Sequence, residues 1–292
     1  MMMTVPIIDG VSTLAPRYDA MILDMWGLVH DGVAPYPGVP ECLDRLREHG
    51  VRALFLSNAP RPSDKVVDRL RDMGIRDDQY ERVITSGDVT RDALSRRFDD
   101  WHAALGTRCL LIGPQRDWGL VDGLEFEMVE SVEAADFLLN TGLYDDESEG
   151  LADYADRLAR ARDLELPMVC ANPDLSVMRG EKLVLCAGSL AKAYEDLGGD
   201  VRYHGKPHAR PYEFCFEALA GVPRERILAA GDSLRTDIAG ANAAGIDGVF
   251  VMGGLHAEEL IGDGQSDPSP ALQDFVMSSG HRPVAAIHRF NW

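Results

Sequence analysis

The chain alternates between short apolar runs and longer amphipathic segments. The runs over residues 20–23, 51–56 and 83–85 are too short for helices and end at polar or turn residues, which predicts buried parallel strands. The segment over residues 40–49, and a second one that begins at residues 62–64, place apolar side chains on one helical face and end at glycines. Strand, helix, strand, helix and strand in this order predict an α/β fold with a doubly wound parallel sheet.

A similar alternation returns in the last third of the chain. It predicts strands and helices in turn over residues 201–204, 211–220, 226–230, 236–244 and 248–252. A further apolar stretch over residues 284–290 is expected to add an edge strand. Because both parts of the chain show the same alternation, we predict that they form one discontinuous domain.

The spacing of the elements changes in the block between these two parts. The block has its own candidates, which are strands at residues 109–112, 126–129, 137–139 and 168–170 and helices near 149–162 and 186–197. Gly198-Gly199 is expected to be the hinge through which the chain returns. We therefore predict a doubly wound core over residues 1–85 and 200–292, with a separate α/β domain over residues 86–199 inserted into it.

Composition and charge exclude several classes of protein. A formal charge of −19 argues against nucleic acid as a partner, because phosphate backbones attract basic surfaces. The five cysteines form no CxxC pair, and their odd number fits a reduced, cytoplasmic protein better than a disulfide framework. The chain shows no run of 18 apolar residues and no basic and apolar leader, so we expect neither a membrane span nor a signal peptide.

Polar residues follow four of the predicted core strands. They are Asp24, Ser57-Asn58, Gly205-Lys206, and Gly231-Asp232 with Asp237 shortly after it. In open α/β sheets ligands bind beyond the carboxyl ends of the strands, so these residues are expected to share one site. Each stretch by itself is compatible with an ordinary turn or a helix cap. The four together, in this order, favour one active site.

The residue types in these stretches suit phosphoryl transfer. Asp24 can attack phosphorus and form an aspartyl-phosphate. Ser57, with nearby backbone amides, can bind phosphoryl oxygens, and Lys206 adds a positive charge that also offsets repulsion between acids. Asp232 supplies a second carboxylate, and Mg²⁺ is commonly held by one or two carboxylates together with substrate phosphate and water. Phosphoryl transfer depends mainly on positioning and charge neutralisation, which such a set provides.

These stretches resemble the motifs of the haloacid dehalogenase superfamily, and specifically its class II A branch, in which a cap is inserted between the second and third motifs. By this resemblance Asp24 is the nucleophile, Leu56-Ser57-Asn58 the second motif, Lys206 the third, and residues 231–237 the fourth. Asn172-Pro173-Asp174 resembles a cap motif of the same branch that lies close to the substrate. The resemblance implies a Rossmann-like core, an α/β cap, Mg²⁺ and hydrolysis of phosphate esters.

One position departs from the family pattern. Phosphatases of the family have a second Asp two residues after the nucleophile as general acid and base, and here that residue is Trp26. The Trp26 carbonyl is still expected to bind Mg²⁺ together with Asp24, Asp232 and Asp237. The indole N–H is no useful acid or base. His30 and Asp31 follow in the same loop and are candidate substitutes, with His30 favoured because its ordinary pKa is about 6.5.

The sequence therefore predicts a Mg²⁺-dependent phosphatase of small phosphorylated metabolites such as sugar or nucleotide phosphates. Asp24 and Lys206 are the predicted catalytic residues. The predicted phosphate and substrate contacts are Trp26, Gly27, Ser57, Asn58, Asn172, Asp174 and Lys206. The alternatives are a metal-free dehalogenase and a catalytically weak phosphate-binding homologue, because Trp26 replaces the usual acid. A homodimer is compatible with the sequence, which leaves the oligomeric state open.

Overall fold

A computed structural model describes residues 4–180, 182–262 and 267–292 of the chain. Numbered in chain order, its strands are β1 Ile7–Ile8, β2 Ala20–Leu23, β3 Arg52–Ser57, β4 Arg82–Thr85, β5 Arg108–Ile112, β6 Glu127–Met128, β7 Phe137–Asn140, β8 Met168–Cys170, β9 Ser176–Arg179, β10 Lys182–Leu185, β11 Val201–Tyr203, β12 Ile227–Gly231, β13 Asp247–Val251 and β14 Ala285–Ile287. Its α-helices are α1 Val39–Glu48, α2 Ser63–Asp72, α3 Ser86–Arg96, α4 Asp100–Ala103, α5 Ala155–Asp163, α6 Ala187–Asp196, α7 Ala209–Ala218, α8 Ala239–Ala244, α9 Ala257–Leu260 and α10 Ser269–Ser279. Short 3₁₀ segments occupy Val11–Thr13, Ala15–Arg17, Asp77–Gln79, Gln115–Val121, Val132–Ala134, Leu151–Tyr154 and Arg224–Arg226, and Leu234–Ile238 is a π-helical turn. Helices in these ranges are too short or too polar to cross a bilayer.

The larger sheet, within the described ranges, has seven parallel strands in the order β1-β14-β13-β12-β2-β3-β4. Side chains of β2 alternate between its two faces, as the period of a strand requires. Met21 and Leu23 pack with α1, and Ala20 and Ile22 pack on the opposite face with α7. Both faces are covered, which explains why these strands are apolar throughout and confirms the predicted doubly wound α/β core.

The end of the sheet differs from the prediction. The stretch predicted as an edge strand forms β14, which pairs with β13 on one side and with β1 on the other. Ile7–Ile8 is therefore the edge strand, although the hydrophobic pattern predicts no strand before residue 20. Two apolar residues are too few to show a period, so only the tertiary structure identifies this strand.

A second parallel sheet has the order β11-β8-β7-β5-β6, and its apolar core is separate from that of the larger sheet. β9 and β10 form an antiparallel hairpin outside both sheets. The sequence did not predict this hairpin because several of its residues are exposed or only half-buried and give no clear alternation.

The chain returns from the inserted block to the core at a later residue than expected. β11 was predicted as a strand of the outer domain, but it pairs with β8 in the second sheet. Gly198-Gly199 therefore lies inside the block, between α6 and β11, and not at its return. The division into a core over residues 1–85 and 200–292 and a cap over 86–199 stays our proposal, and sheet membership moves its second boundary past Tyr203.

Two buried imidazoles lie beside this return. His102 Nδ1 lies 2.7 Å from Asp99 Oδ1, and His102 Nε2 lies 3.0 Å from His204 Nε2. If His102 Nδ1–H donates to the carboxylate, His102 Nε2 accepts from His204. His204 Nδ1 is then a buried atom without a hydrogen-bond partner among the described residues. This chain of contacts connects α4 with the segment that leads to Lys206.

This arrangement predicts loss of stability in acid. Burial and the neighbouring His102 lower the pKa of His204 to about 3 from an ordinary value of 6.5. Below pH 6.5 the unfolded chain binds a proton at this position and the folded chain does not, so the free energy of unfolding falls as the pH drops towards 3. Between pH 6.5 and about pH 5 we expect His204 to contribute a loss of up to ~2 kcal/mol. Urea unfolding at several pH values measures it, and His204→Phe should show a shallower pH dependence. An unchanged slope in His204→Phe would contradict the assignment.

Candidate active site

The carboxyl end of the larger sheet brings together a lysine and two aspartates. Lys206 Nζ donates hydrogen bonds to Asp24 Oδ1 at 2.5 Å and to Asp237 Oδ1 at 2.7 Å, and all three side chains are buried. Asp24 follows β2 directly, and its amide extends the ladder by donating to the Ala230 carbonyl of β12 at 2.8 Å. Asp237 lies in the π-helical turn after β12, where the Ser233 amide donates to its Oδ2 at 3.0 Å. The structure thus joins three of the residues that the sequence predicts for one site.

Asp232 lies against the same cluster. Its Oδ2 accepts a hydrogen bond from the Leu255 amide at 2.7 Å. Gly27, with φ of +86°, packs so closely that a Cβ there would lie 1.8 Å from Asp232 Oδ2, and a Cβ on Gly254 would lie 2.1 Å from the same atom. Only glycine allows both loops to approach this carboxylate. One oxygen from each of Asp24, Asp232 and Asp237 lies within 4.8 Å of the other two.

Burial controls the charge of these groups. It raises the pKa of Asp24 to about 7, although the attraction of Lys206 opposes this shift. Burial and the repulsion of Asp24 and Asp237 hold the pKa of Asp232 well above its ordinary value. Burial by itself would lower the pKa of Lys206, but the attraction of Asp237 and Asp24 keeps it well above the usual range. One ammonium group therefore faces more buried carboxyls than it can neutralise.

A divalent cation fits this cluster. The converging atoms are hard carboxylate oxygens, and a cation beside them would offset the repulsion that raises the pKa of Asp24 and Asp232. Both oxygens of Asp237 already accept hydrogen bonds, from Lys206 and Ser233, which favours a role in orienting the lysine. Metal ligation by Asp237 and by the Trp26 carbonyl stays a prediction.

Asn58 connects the second and third predicted motifs with the cap motif. Its Nδ2 donates to Asp174 Oδ1 at 2.9 Å and to the Lys206 carbonyl at 3.2 Å, and its Oδ1 accepts from the Lys206 amide at 2.8 Å. Ser57 is the last residue of β3, and the Asn172 side chain accepts from the Asp174 amide at 2.9 Å. These contacts fix the backbone around Lys206 and hold the cap motif against the core.

The Trp26 side chain contacts the unpredicted hairpin. Its Nε1 donates to the Met178 carbonyl of β9, and the Gly180 amide donates to the Asp31 carbonyl at 3.3 Å. Trp26 is half-buried and packs edge-on against His30, with ring centroids 5.3 Å apart. The Trp26 indole therefore connects the loop that follows Asp24 to the β9–β10 hairpin.

Neither candidate substitute for that acid has a suitable environment. His30 is buried, its Nδ1 accepts from the Gly32 amide at 3.1 Å, and burial lowers its pKa to about 4, so it is neutral near pH 7. Asp31 Oδ1 accepts from the amides of Val33 and Ala34, and the bond from Ala34 is the main reason for its lowered pKa. The expectation that His30 titrates near neutral pH is therefore wrong, because it ignored burial.

A cavity of about 580 Å³ opens above the cluster between core and cap. All the predicted site residues line it, namely Asp24, Trp26, Gly27, Ser57, Asn58, Asn172, Asp174, Lys206, Asp232 and Asp237. The sequence did not predict other charged side chains that line this cavity, among them Arg61, Arg116, Asp117, Asp146 and Arg179. Arg61 lies four residues after Ser57 and could have been noticed. The others come from scattered cap segments, and no local pattern connects them.

The chain is similar to known haloacid dehalogenase-like proteins. The family of haloacid dehalogenase-like hydrolases matches residues 21–127, and a related HAD-hydrolase-like family matches residues 203–277. A crystal structure of a hydrolase of the haloacid dehalogenase-like family from Brucella suis 1330 is 38% identical, with a TM-score of 0.84, over 97% of this chain and 99% of that one.

Two comparisons concern phosphatases of Mycobacterium tuberculosis. A D-glycerol 3-phosphate phosphatase is 29% identical over 249 residues, which are 85% of this chain and 66% of that enzyme's length. The chain thus spans slightly less than two thirds of this relative. A crystal structure of a glycerol phosphate phosphatase in complex with magnesium is 25% identical, with a TM-score of 0.66, over 94% of this chain and 76% of that one.

The carboxylate cluster predicts one divalent cation site per chain. Asp232→Ala should lower affinity for Mn²⁺ at least tenfold, because it removes a buried oxygen ligand and leaves the Lys206 ion pairs intact. Calorimetric titration with Mn²⁺ measures this, and anomalous diffraction from a soaked crystal locates the ion. Asp64→Ala, which removes an exposed carboxylate, is the matched control. Anomalous density away from Asp24 and Asp232 would contradict the prediction.

Proposed function

This chain belongs to the haloacid dehalogenase-like hydrolase family, and on that premise we propose that it is a Mg²⁺-dependent phosphatase of small phosphorylated metabolites such as sugar, glycerol or nucleotide phosphates. The observation that carries the proposal is the buried contact of Lys206 with Asp24 and Asp237 beside Asp232. The similarity to a D-glycerol 3-phosphate phosphatase supports the substrate class. The buried, unpaired cysteines fit the cytoplasmic location expected from the sequence.

In this mechanism Asp24 attacks phosphorus and the leaving oxygen departs, which gives an aspartyl-phosphate that water then hydrolyses. Lys206 and Ser57 bind the phosphoryl oxygens, and Lys206 also keeps the Asp24 carboxylate oriented. Asn58 contributes through its backbone amide, because both hydrogens of its Nδ2 are already donated to Asp174 and to the Lys206 carbonyl. Asp24 and Asp232 would hold the Mg²⁺, which would neutralise charge on the phosphate and favour the ionised form of both carboxylates. Asp237 positions the Lys206 ammonium.

Two alternatives follow from particular residues. The presence of Asp232 and Asp237 argues against a metal-free dehalogenase, whose active site does not need a cluster of acids around a cation. Trp26 in place of an acid is the one feature that favours a catalytically weak phosphate-binding protein. A panel of phosphate monoesters assayed with Mg²⁺ and with chelator separates these functions, since only the proposed one gives phosphate release that the chelator abolishes.

Replacing the nucleophile should abolish turnover. Asp24→Asn keeps the shape of the side chain but cannot attack phosphorus, so we expect hydrolysis of 4-nitrophenyl phosphate to fall by at least ~10³-fold. Circular dichroism and a thermal melt check that the variant is folded. Asp19→Asn, which changes an exposed carboxylate at the other end of β2, is the matched control and should remain active. Turnover that survives in Asp24→Asn would exclude the covalent mechanism.

The presence of Trp26 leads us to expect slow hydrolysis of the aspartyl-phosphate, the second chemical step. A positioned acid–base group contributes ~10²–10⁴-fold, and neither Trp26 nor His30 is placed to provide it near pH 7. Aryl esters need little protonation of the leaving oxygen, so 4-nitrophenyl phosphate should give a burst of about one nitrophenolate per chain, followed by slow turnover. Stopped-flow absorbance measures the burst.

Two variants test the cause of this burst. Trp26→Asp returns a carboxyl to the family position and should remove the burst and raise turnover of alkyl phosphates. Trp26→Phe loses the indole N–H but supplies no acid, so it should keep the burst. A linear progress curve in the unmodified protein, together with efficient hydrolysis of alkyl esters, would show that another group in the cavity supplies the proton.

A further inference from the structure

The cavity wall is far more basic than the chain as a whole. The chain has 29 Arg and Lys against 48 Asp and Glu. Apart from Lys206 and the three carboxyls of the cluster, the cavity is lined by six basic side chains, Arg61, Lys65, Arg69, Arg116, Arg179 and Arg235, against three acidic ones, Asp117, Asp146 and Asp174. An acidic chain that concentrates cations in one cavity creates a local attraction for anions there. The phosphoryl group already has Lys206, so these cations are available for a different part of the ligand.

Most of these cations are neutralised or lie at the cavity mouth. Arg61 Nη2 lies 3.0 Å from the buried Asp117 carboxylate, which balances its charge. Lys65 and Arg69 are exposed, Lys65 beside Asp64 and Arg69 donating to the Gly32 carbonyl. Arg235 donates to the Pro173 carbonyl at 2.6 Å and so helps to hold the cap motif.

Arg116 and Arg179 differ from the others because they share one carboxylate. Arg179 donates through Nη1 to Asp146 Oδ1 at 3.0 Å and through Nη2 to Asp146 Oδ2 at 2.7 Å. Arg116 Nη2 donates to the same Oδ2. The Asp146 side chain is only 9% exposed, whereas those of Arg116 and Arg179 are 46% and 32% exposed. A buried anion therefore fixes two guanidinium groups that both belong to residues lining the cavity.

The arginine pair, by which we mean Arg116 and Arg179 joined through Asp146, retains one net positive charge and unused donors. A guanidinium has five N–H groups, of which Arg179 uses two and Arg116 uses one in hydrogen bonds within the part of the chain that the structure describes. One arginine would be enough to neutralise Asp146. A second one held on the same carboxylate is the arrangement expected where an anion has to be bound from the cavity side, because planar guanidinium groups match carboxylate and phosphate geometry.

We propose that the arginine pair binds a second anionic group, a carboxylate or a further phosphate, carried by the leaving-group part of the substrate. The proposal rests on the proposed function and narrows it from small phosphate monoesters to esters that carry this second anion. Binding energy from a part of the substrate remote from phosphorus would hold the ester in position for attack by Asp24. It would also let the cap discriminate against phosphate esters of similar size whose leaving group carries no charge.

Two matched pairs of esters test the proposal. Glycerol 3-phosphate and 3-phosphoglycerate differ only by a hydroxymethyl group in place of a carboxylate. Fructose 6-phosphate and fructose 1,6-bisphosphate differ by a second phosphate. We expect kcat/KM to be at least ~10-fold higher for the anionic member of one pair, the size of effect expected from a hydrogen bond to a charged group. The pair that shows it identifies the anion as carboxylate or phosphate.

Variants then assign the effect to the arginine pair. Arg179→Gln should bring the ratio within the preferred pair close to one, mainly through a higher KM for the anionic ester, and the loss in kcat/KM should be smaller for the uncharged member of the pair. Arg116→Gln should act in the same direction. Arg179→Lys keeps the charge but cannot form bidentate hydrogen bonds, so we expect an intermediate ratio of kcat/KM within the preferred pair. Lys65→Gln removes an exposed cation at the cavity mouth and is the matched control, with an unchanged ratio.

The outcomes separate this proposal from the function on which it depends. If 4-nitrophenyl phosphate and all four esters resist hydrolysis, the proposed phosphatase function fails. If the esters are hydrolysed but neither anionic member is preferred, or if the preference survives in Arg179→Gln with an unchanged melting temperature, the arginine pair is only structural. If Lys65→Gln also loses the preference, the effect is general attraction of anions by the basic cavity. That result would overturn the assignment of the preference to the arginine pair.

Discussion

The site depends on one interaction, the contact of the buried Lys206 ammonium with the carboxylates of Asp24 and Asp237. The ammonium lies between Asp24 and Asp237, two carboxylates that come from different strand ends and would repel each other without it. Removing one partner of such a buried pair typically costs about 3–5 kcal/mol, because the remaining charge has lost both its partner and its water. The same contact aims Asp24 into the cavity. Stability and the orientation of Asp24, the proposed nucleophile, therefore depend on the same three side chains.

The contacts around Lys206 also determine how the cap meets the core. Asn58 binds the Lys206 backbone on one side and Asp174 of the cap motif on the other. Trp26 donates to the Met178 carbonyl, so the loop after Asp24, the proposed nucleophile, is attached to the β9–β10 hairpin as well. Trp26 stands at the position of the family's acid, and here its side chain holds the β9–β10 hairpin. The position that lacks a proton donor therefore also contributes to the placement of the cap.

Much of the core could be predicted from sequence because the patterns that indicate its strands lie within short segments of the chain. The strands β2, β3 and β12 are apolar runs buried on both faces, and polar residues at their ends must meet at one edge of a parallel sheet. The edge strand β1, the place of β14 and the sheet membership of β11 could not be predicted, because strand order depends on packing between distant segments. Most residues of the β9–β10 hairpin are exposed or half-buried, with Val184 buried, so no regular alternation of apolar and polar positions indicates these strands.

The sequence by itself determined the fold class and the family, and it yielded the proposal for the phosphate-site residues, because residue type, order and spacing carry these patterns. Only the tertiary structure decided the environment of those residues. It showed that His30 is buried with a lowered pKa, that both oxygens of Asp237 are engaged, and that Arg116 and Arg179 share Asp146. Burial and contacts between residues far apart in the chain set charge and orientation, and a linear pattern does not contain them.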